Sequence, residues 1–133
     1  MPGELLFNHV FVGTNDLERA RAFYDAALGA LGLTNSSSTQ APLLSYRLGE
    51  QGFAVRAPRN GELATPANGG TIGFRAPSPA HVDAFHAAGL EYGGSSDGAP
   101  GPRPGSFGEP YIAYLRDPDG NKLCAMWKRG WQT

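Results

Sequence analysis

The second half of this chain repeats the order of its first half at an offset of about 62 residues. Phe23 stands opposite Phe85, Ala22 opposite Ala84, Ala26 opposite Ala88 and Asp16 opposite Ser78, while His9 falls opposite Thr71 and Val10 opposite Ile72. Chance matching of alanines is the alternative, weakened because the order of elements repeats along with the residues. Each half reads as a strand, a helix and then two or three strands. A sheet covered by a helix on one face needs a second cover for the other. Two such units side by side curve into a half-open barrel whose uncovered faces line a cavity at the pseudo-twofold axis, a natural place for a small ligand. The expected fold is α+β: two βαβββ modules forming a half-open barrel with a central cavity. The modules span residues 4–60 and 69–130 of a single domain, 1–133.

The local pattern fills in this frame. Leu5 to Val12 is apolar at nearly every position, as in a strand buried on both faces. Alternation puts Phe7, His9 and Phe11 on one face and Leu6, Val10 and Val12 on the other, with Asn8 out of pattern. Asn15 or Asp16 caps a helix over about 16–31, and with Asn15 as the cap Glu18 sits near a capping-box position. Leu17, Ala20, Tyr24, Ala27, Leu28 and Leu31 make its apolar stripe, and Gly32 stops it. Thr34 to Gln40 is polar and weakly patterned. Leu43–Leu48 and Phe53–Ala57 read as strands around Gly49-Glu50-Gln51-Gly52, and Pro58 to Gly69 as a linker. In the second half, Gly70–Ala76 is a strand and Ser78-Pro79 opens a helix over 79–92 that carries Val82, Phe85 and Ala88, with Gly89 weakening its last turn. Tyr111–Leu115 and Lys122–Trp127 form a last hairpin around Asp117-Pro118-Asp119-Gly120-Asn121. Ser95 to Gly108, with Gly, Pro or Ser at most positions, reads as a long mobile loop over the mouth of the cavity.

Composition removes several function classes. Eleven basic and twelve acidic residues nearly cancel, with no Lys/Arg stripe, so no nucleic-acid partner is expected. No apolar run approaches the roughly 20 residues of a membrane helix, and the N-terminal residues carry no signal-peptide pattern. The single Cys124 excludes an internal disulfide and suits a reducing compartment, so a cytoplasmic location is expected. Ser-His-Asp order, a phosphate-binding Gly loop and a CxxC pair are all missing.

Two groups of residues resemble a known family. Asn8-His9-Val10-Phe11-Val12 followed by Asp16-Leu17-Glu18-Arg19-Ala20-Arg21-Ala22-Phe23-Tyr24 resembles the opening of a vicinal-oxygen-chelate module, the group of glyoxalases, bleomycin-resistance proteins and extradiol dioxygenases. So does the turn Asp117 to Asn121 before the last strand. Val82 to Ala88 and the loop Asp97-Gly98-Ala99-Pro100-Gly101 resemble its glyoxalase-like bacterial branch. The resemblance implies His and Glu ligands for a divalent cation on the strands of the paired modules. It maps the first-strand ligand onto His9, its second-half counterpart onto Thr71, the last-strand ligand onto Cys124, and that ligand's first-half equivalent onto Ala54 or Val55. One ligand of the set remains, where a catalytic divalent site usually takes three, so no metal or other cofactor is expected. The branch also implies a homodimer, and Trp127 and Trp131 in the tail supply aromatics for it.

His9 is open to three readings: a metal ligand, a polar or proton-transferring group in the cavity, or a plain buried histidine. With it, Phe7, Phe11, Thr71, Tyr46, Tyr111 and Cys124 are candidate ligand-binding residues. Cys124 also reads as a small buried residue, His81 and His86 as surface or helix-edge residues, and Arg47, Arg56 and Arg75 as strand arginines, any one of which could hold a carboxylate. Two functions follow. One is a protein with a degraded metal site that binds a small oxygenated or aromatic molecule. The other is a metal-dependent lyase, isomerase or dioxygenase.

Overall fold

A computed structural model of the protein describes residues 6–37, 42–105 and 108–131. The first half consists of β1 (His9–Gly13), α1 (Leu17–Gly29), β2 (Leu43–Leu48) and β3 (Gln51–Arg56). The second consists of β4 (Ile72–Arg75), α2 (Pro79–Glu91), β5 (Ser95–Pro102), β6 (Tyr111–Arg116) and β7 (Lys122–Trp127). The strands make two mixed sheets, ordered β1-β3-β2 and β4-β7-β6-β5. In each, the first strand runs parallel to the last and the last pairs antiparallel with its predecessor. The fold is the expected α+β pair of similar halves, with curved, unclosed sheets.

The repeat is most regular at the helices. Leu17–Gly29 and Pro79–Glu91 stand 62 residues apart, as do their N-caps, Asp16 and Ser78. Each cap side chain accepts from a backbone N–H in the first turn, Arg19 N and His81 N. Asp16, not Asn15, is therefore the first cap, and Glu18 pairs with Arg21 instead of closing a capping box. The first half lacks a full counterpart of β5. Around Thr34 to Gln40 the described residues hold an isolated bridge, Asn35 to Tyr46, consistent with a segment too polar to bury a strand face; 38–41 lie outside the described residues.

Three expectations are corrected. Leu5–Val12 is not a strand buried on both faces: β1 begins at His9, and Leu6, Phe7 and Phe11 are 85%, 63% and 50% exposed. β1 is an edge strand, and His9 and Phe11 on its side away from α1 are exposed. Ser95 to Gly108 is not a loop over a cavity: 95–102 form β5, an edge strand packed beside α2. Gly and Pro hid it, but register shifts between Ser96 and Gly98 and between Gly98 and Gly101 accommodate them, and an edge tolerates Pro100 and Pro102. Arg103 donates to the carbonyls of Ala99, Gly101 and Pro102, occupying acceptors that a neighbouring strand would otherwise take. His86 is not a surface residue: it is 8% exposed, and its Nε2 bonds Ser96 Oγ on β5 at 2.8 Å. Burial holds its pKa below the ordinary value against the opposing pull of Asp83.

The core lies between helices and sheets. Val10, Val12, Leu44, Tyr46, Phe53 and Val55 face α1, while Ile72, Phe74, Leu115, Leu123 and Ala125 face α2. The two helices pack on each other, and Phe53 meets Phe74 edge-on at 5.1 Å, fusing both halves into one core. Gly89 permits this closeness. A Cβ there would meet Leu115 Cδ1 at 2.3 Å and Phe23 Cε1 at 3.1 Å, so the residue that weakens the helix end lets α2 settle on the sheet.

A polar latch completes the join. Asp117, 4% exposed, accepts from Tyr24 Oη at 2.5 Å, from Asn121 Nδ2 and from the backbone N–H of Asp119 and Asn121. Asp119 accepts from Thr14 Oγ1, Asn15 N and Arg19 Nη2, and Asn121 Nδ2 also donates to Gly13 O. The hairpin turn of the second half is thus bonded to the β1–α1 junction of the first. Burial, then the Asp117 charge and hydrogen bond, push the Tyr24 pKa well up. Asp117→Ala is expected to destabilise the protein by about 3 kcal/mol, because it strands a buried phenol and several N–H groups. Tyr24→Phe is expected to cost about 1.5 kcal/mol, and the double mutant less than the sum of the two. Denaturant unfolding of the three variants measures this.

Candidate functional site

Strand pairing decides which side chains share a face. On the first sheet, His9 pairs with Gly52 and Gly52 with Arg47. Phe11 pairs with Ala54 and Ala54 with Ser45, and Gly13 pairs with Arg56 and Arg56 with Leu43. These rows form the face turned away from α1. His9 and Phe11 are exposed on it, with their rings edge-on at 5.7 Å, and His9 Nδ1 bonds Asn8 Oδ1 at 2.5 Å. Of the three readings of His9, the buried one is removed. Beside it the small residues Gly52 and Ala54 keep the face low, the Arg47 guanidinium lies over Gly52, and Arg56 stands at the other end of the rows.

On the second sheet the corresponding face carries Gly73 and Arg75, Cys124 and Met126, and Ile112 and Tyr114. Cys124 lies beside Gly73, with Sγ 3.2 Å from where a Cβ on that glycine would stand. Thr71, two residues earlier, is exposed. Arg75 lies 4.3 Å from the ring centre of Trp131, so the tail folds back onto this face. Burial pushes the Cys124 thiol up to about 11, partly offset by Lys122.

The predicted site residues therefore divide into three groups. His9 and Phe11 come together on one open face; Thr71 and Cys124 belong to the other sheet. Tyr46 and Tyr111 turn to the helices: Tyr46, 2% exposed, donates to Asp25 at 2.6 Å, and Tyr111 donates to Asp83 at 2.7 Å. Both pKa values are raised, Tyr46 chiefly by burial and Tyr111 chiefly by its hydrogen bond. Phe7, just before β1, is exposed. Among the described residues, no three His, Cys, Asp or Glu side chains gather where they would hold a metal ion. The ligand set that the resemblance implies does not fit this chain, since Thr71, Cys124 and Ala54 or Val55 stand at its remaining positions.

A groove that sequence reading passed over as linker opens from the first face. It has a volume of about 650 Å³, within the range of small-molecule sites, and lies between the ends of β1 and β3 and the segment 57–65. Asn15 builds it: its side chain donates to Ala64 O at 3.1 Å and accepts from Ala64 N at 2.7 Å, clasping the segment. Gly13 lets that segment close in, because a Cβ there would stand 2.9 Å from Ala64 Cβ. Phe11 and Arg56 belong to both the open face and the groove, which makes the two one continuous surface. The lone apolar Leu63 in a polar stretch was the available signal.

A family profile for the Glyoxalase/Bleomycin resistance protein/Dioxygenase superfamily matches residues 6–125. No curated protein matches the chain. A glyoxalase/bleomycin resistance protein from Albidiferax ferrireducens T118 is 48% identical over 93% of this chain and 100% of its own, with a TM-score of 0.87. A glyoxalase-related enzyme from Fulvimarina pelagi is 17% identical, covering 94% of this chain and 89% of its own, with a TM-score of 0.74. A lactoylglutathione lyase from Agrobacterium tumefaciens is 21% identical, covering 100% of both chains, with a TM-score of 0.66. These last two share the fold.

The buried, weakly acidic Cys124 has a direct test. At pH 8 its native reaction with a disulfide reagent is expected to run about two orders of magnitude slower than after denaturation, since little thiolate is present and access is blocked. Equal rates would contradict the burial described.

Proposed function

The chain belongs to the Glyoxalase/Bleomycin resistance protein/Dioxygenase superfamily, and from that premise we propose that it is a member with a degraded metal site that binds a small oxygenated or aromatic molecule on the open face of its first sheet. One observation carries this reading. An exposed imidazole and an exposed phenyl ring stand side by side on a face that runs through Phe11 into a groove of about 650 Å³, while the positions to which the family's other metal ligands map hold Thr71, Cys124 and Ala54 or Val55. Without a second imidazole or a carboxylate there, a divalent ion would keep most of its water and bind weakly. An aromatic surface with one polar handle still holds a planar ligand by stacking and a hydrogen bond.

The working form is a homodimer. Leu6, Phe7 and Phe11 are half-exposed or more at an edge strand whose face away from α1 is exposed at His9 and Phe11. A second copy laid there would turn that face into an enclosed pocket. A dimer mass by light scattering at micromolar concentration is expected, and a monomer mass would contradict it.

The binding test uses 2-naphthol, a neutral oxygenated aromatic, followed by fluorescence and by calorimetry. Saturable binding unchanged by chelator is expected. His9→Ala should weaken it about fivefold, the value of one hydrogen bond. One equivalent of zinc, nickel, manganese or iron held through His9, or metal-dependent glyoxalase activity lost in His9→Ala, would overturn the proposal in favour of a metal-dependent lyase or dioxygenase.

A further inference from the structure

We infer that the groove beside β1 selects a planar aromatic carboxylate carrying a single negative charge, anchored by Arg56. This rests on the binding role proposed above and names its ligand class. Arg56, at the end of β3, is half-buried in the groove wall. Its Nε donates to Ala57 O at 3.3 Å, and among the described residues its two terminal nitrogens have no partner. A half-desolvated guanidinium with its terminal fork free matches the two oxygens of a carboxylate. The rest of the lining explains the aromatic part. Phe11, paired one step before Gly13 and Arg56, presents a half-exposed ring, and Pro58 and the exposed Leu63 add apolar atoms to the lining.

Charge fixes the valence. Two guanidiniums, Arg56 and Arg59, and one carboxylate, Glu62, line the groove, leaving one net positive charge. Arg59 and Glu62 are exposed at the rim, where water weakens their charges without removing them, so the half-buried Arg56 is the anchor and Glu62 limits how much further negative charge is accepted. A dianion would place its second charge toward Glu62. The groove's shape does not depend on the ligand, because Asn15 clasps the segment through Ala64.

The test compares 1-naphthoate, 1-naphthamide and naphthalene-1,8-dicarboxylate by calorimetry, with backbone amide NMR shifts locating the bound probe. The naphthoate is expected to bind at least tenfold more tightly than the isosteric amide and than the dianion. The largest shifts are expected at Phe11, Gly13 and Arg56. Arg56→Met should remove the preference for naphthoate over naphthamide while leaving naphthamide affinity within about threefold. Arg56→Lys, which keeps the charge and loses the fork, should retain part of the preference, and Glu62→Gln should narrow the gap between mono- and dianion. Equal affinity for acid and amide would overturn the inference while leaving the proposed binding role standing, whereas shifts confined to the second sheet would overturn both. If no probe binds while 2-naphthol does, the carboxylate assignment alone falls. If neither the probes nor 2-naphthol bind, both fall.

Discussion

Asp117 sits where the two halves of the molecule meet, and nearly every local choice near it depends on its charge being satisfied. A carboxylate taken out of water is costly unless its oxygens are fully bonded. Here the bonds come from both directions: from the turn's own N–H groups and Asn121, and from Tyr24 on the opposite half. The second carboxylate of the turn, Asp119, bonds Thr14, Asn15 and Arg19. Asn15, its backbone N–H engaged there, is left with a free side chain, and that side chain clasps Ala64. A chain of bonds thus runs from the inter-module turn to the wall of the groove. The geometry of the candidate site is set by the same contacts that hold the halves together.

Much of this was legible in the sequence, for physical reasons. Helix positions came through because caps and 3.6-residue periodicity are local signals, and Asp16 and Ser78 carry them 62 residues apart. The parallel pairing of β1 with β3 and of β4 with β7 was not read from the sequence, because neither pair is joined by a local turn that would announce it. β5 was hidden because Gly and Pro deplete strand propensity, and what restores the strand is a side chain outside it, Arg103. His86 was misplaced because its partner Ser96 lies on that hidden strand.

The candidate site was legible in part. His9 and Phe11 were placed on one face by alternation, which the register bears out. Tyr46 and Tyr111 were grouped with them, yet each reaches a carboxylate on a helix, Asp25 or Asp83, and strand alternation alone does not say which face the helix covers. The groove was invisible because it is made by a linker, and only the clasp between Asn15 and Ala64, 49 positions apart, gives that linker a place. The family's metal-ligand pattern draws attention to His9 and Thr71, at the start of β1 and just before β4, and away from the far end of β3 where Arg56 stands. In this chain the free guanidinium and the aromatic ring lie toward that end, where the connection between modules begins.

Arg103 has a consequence beyond the strand it serves. Every sheet has two rims, and a rim with unsatisfied carbonyls invites a strand from another molecule. On the β5 rim the guanidinium of Arg103 occupies the carbonyls of Ala99, Gly101 and Pro102, standing in for a neighbour that never arrives. Among the described residues the β1 rim shows no comparable guanidinium, and it carries Phe11 instead. The β5 rim is therefore the one whose acceptors are already partly taken from within the chain, which makes it a poor template for strand addition.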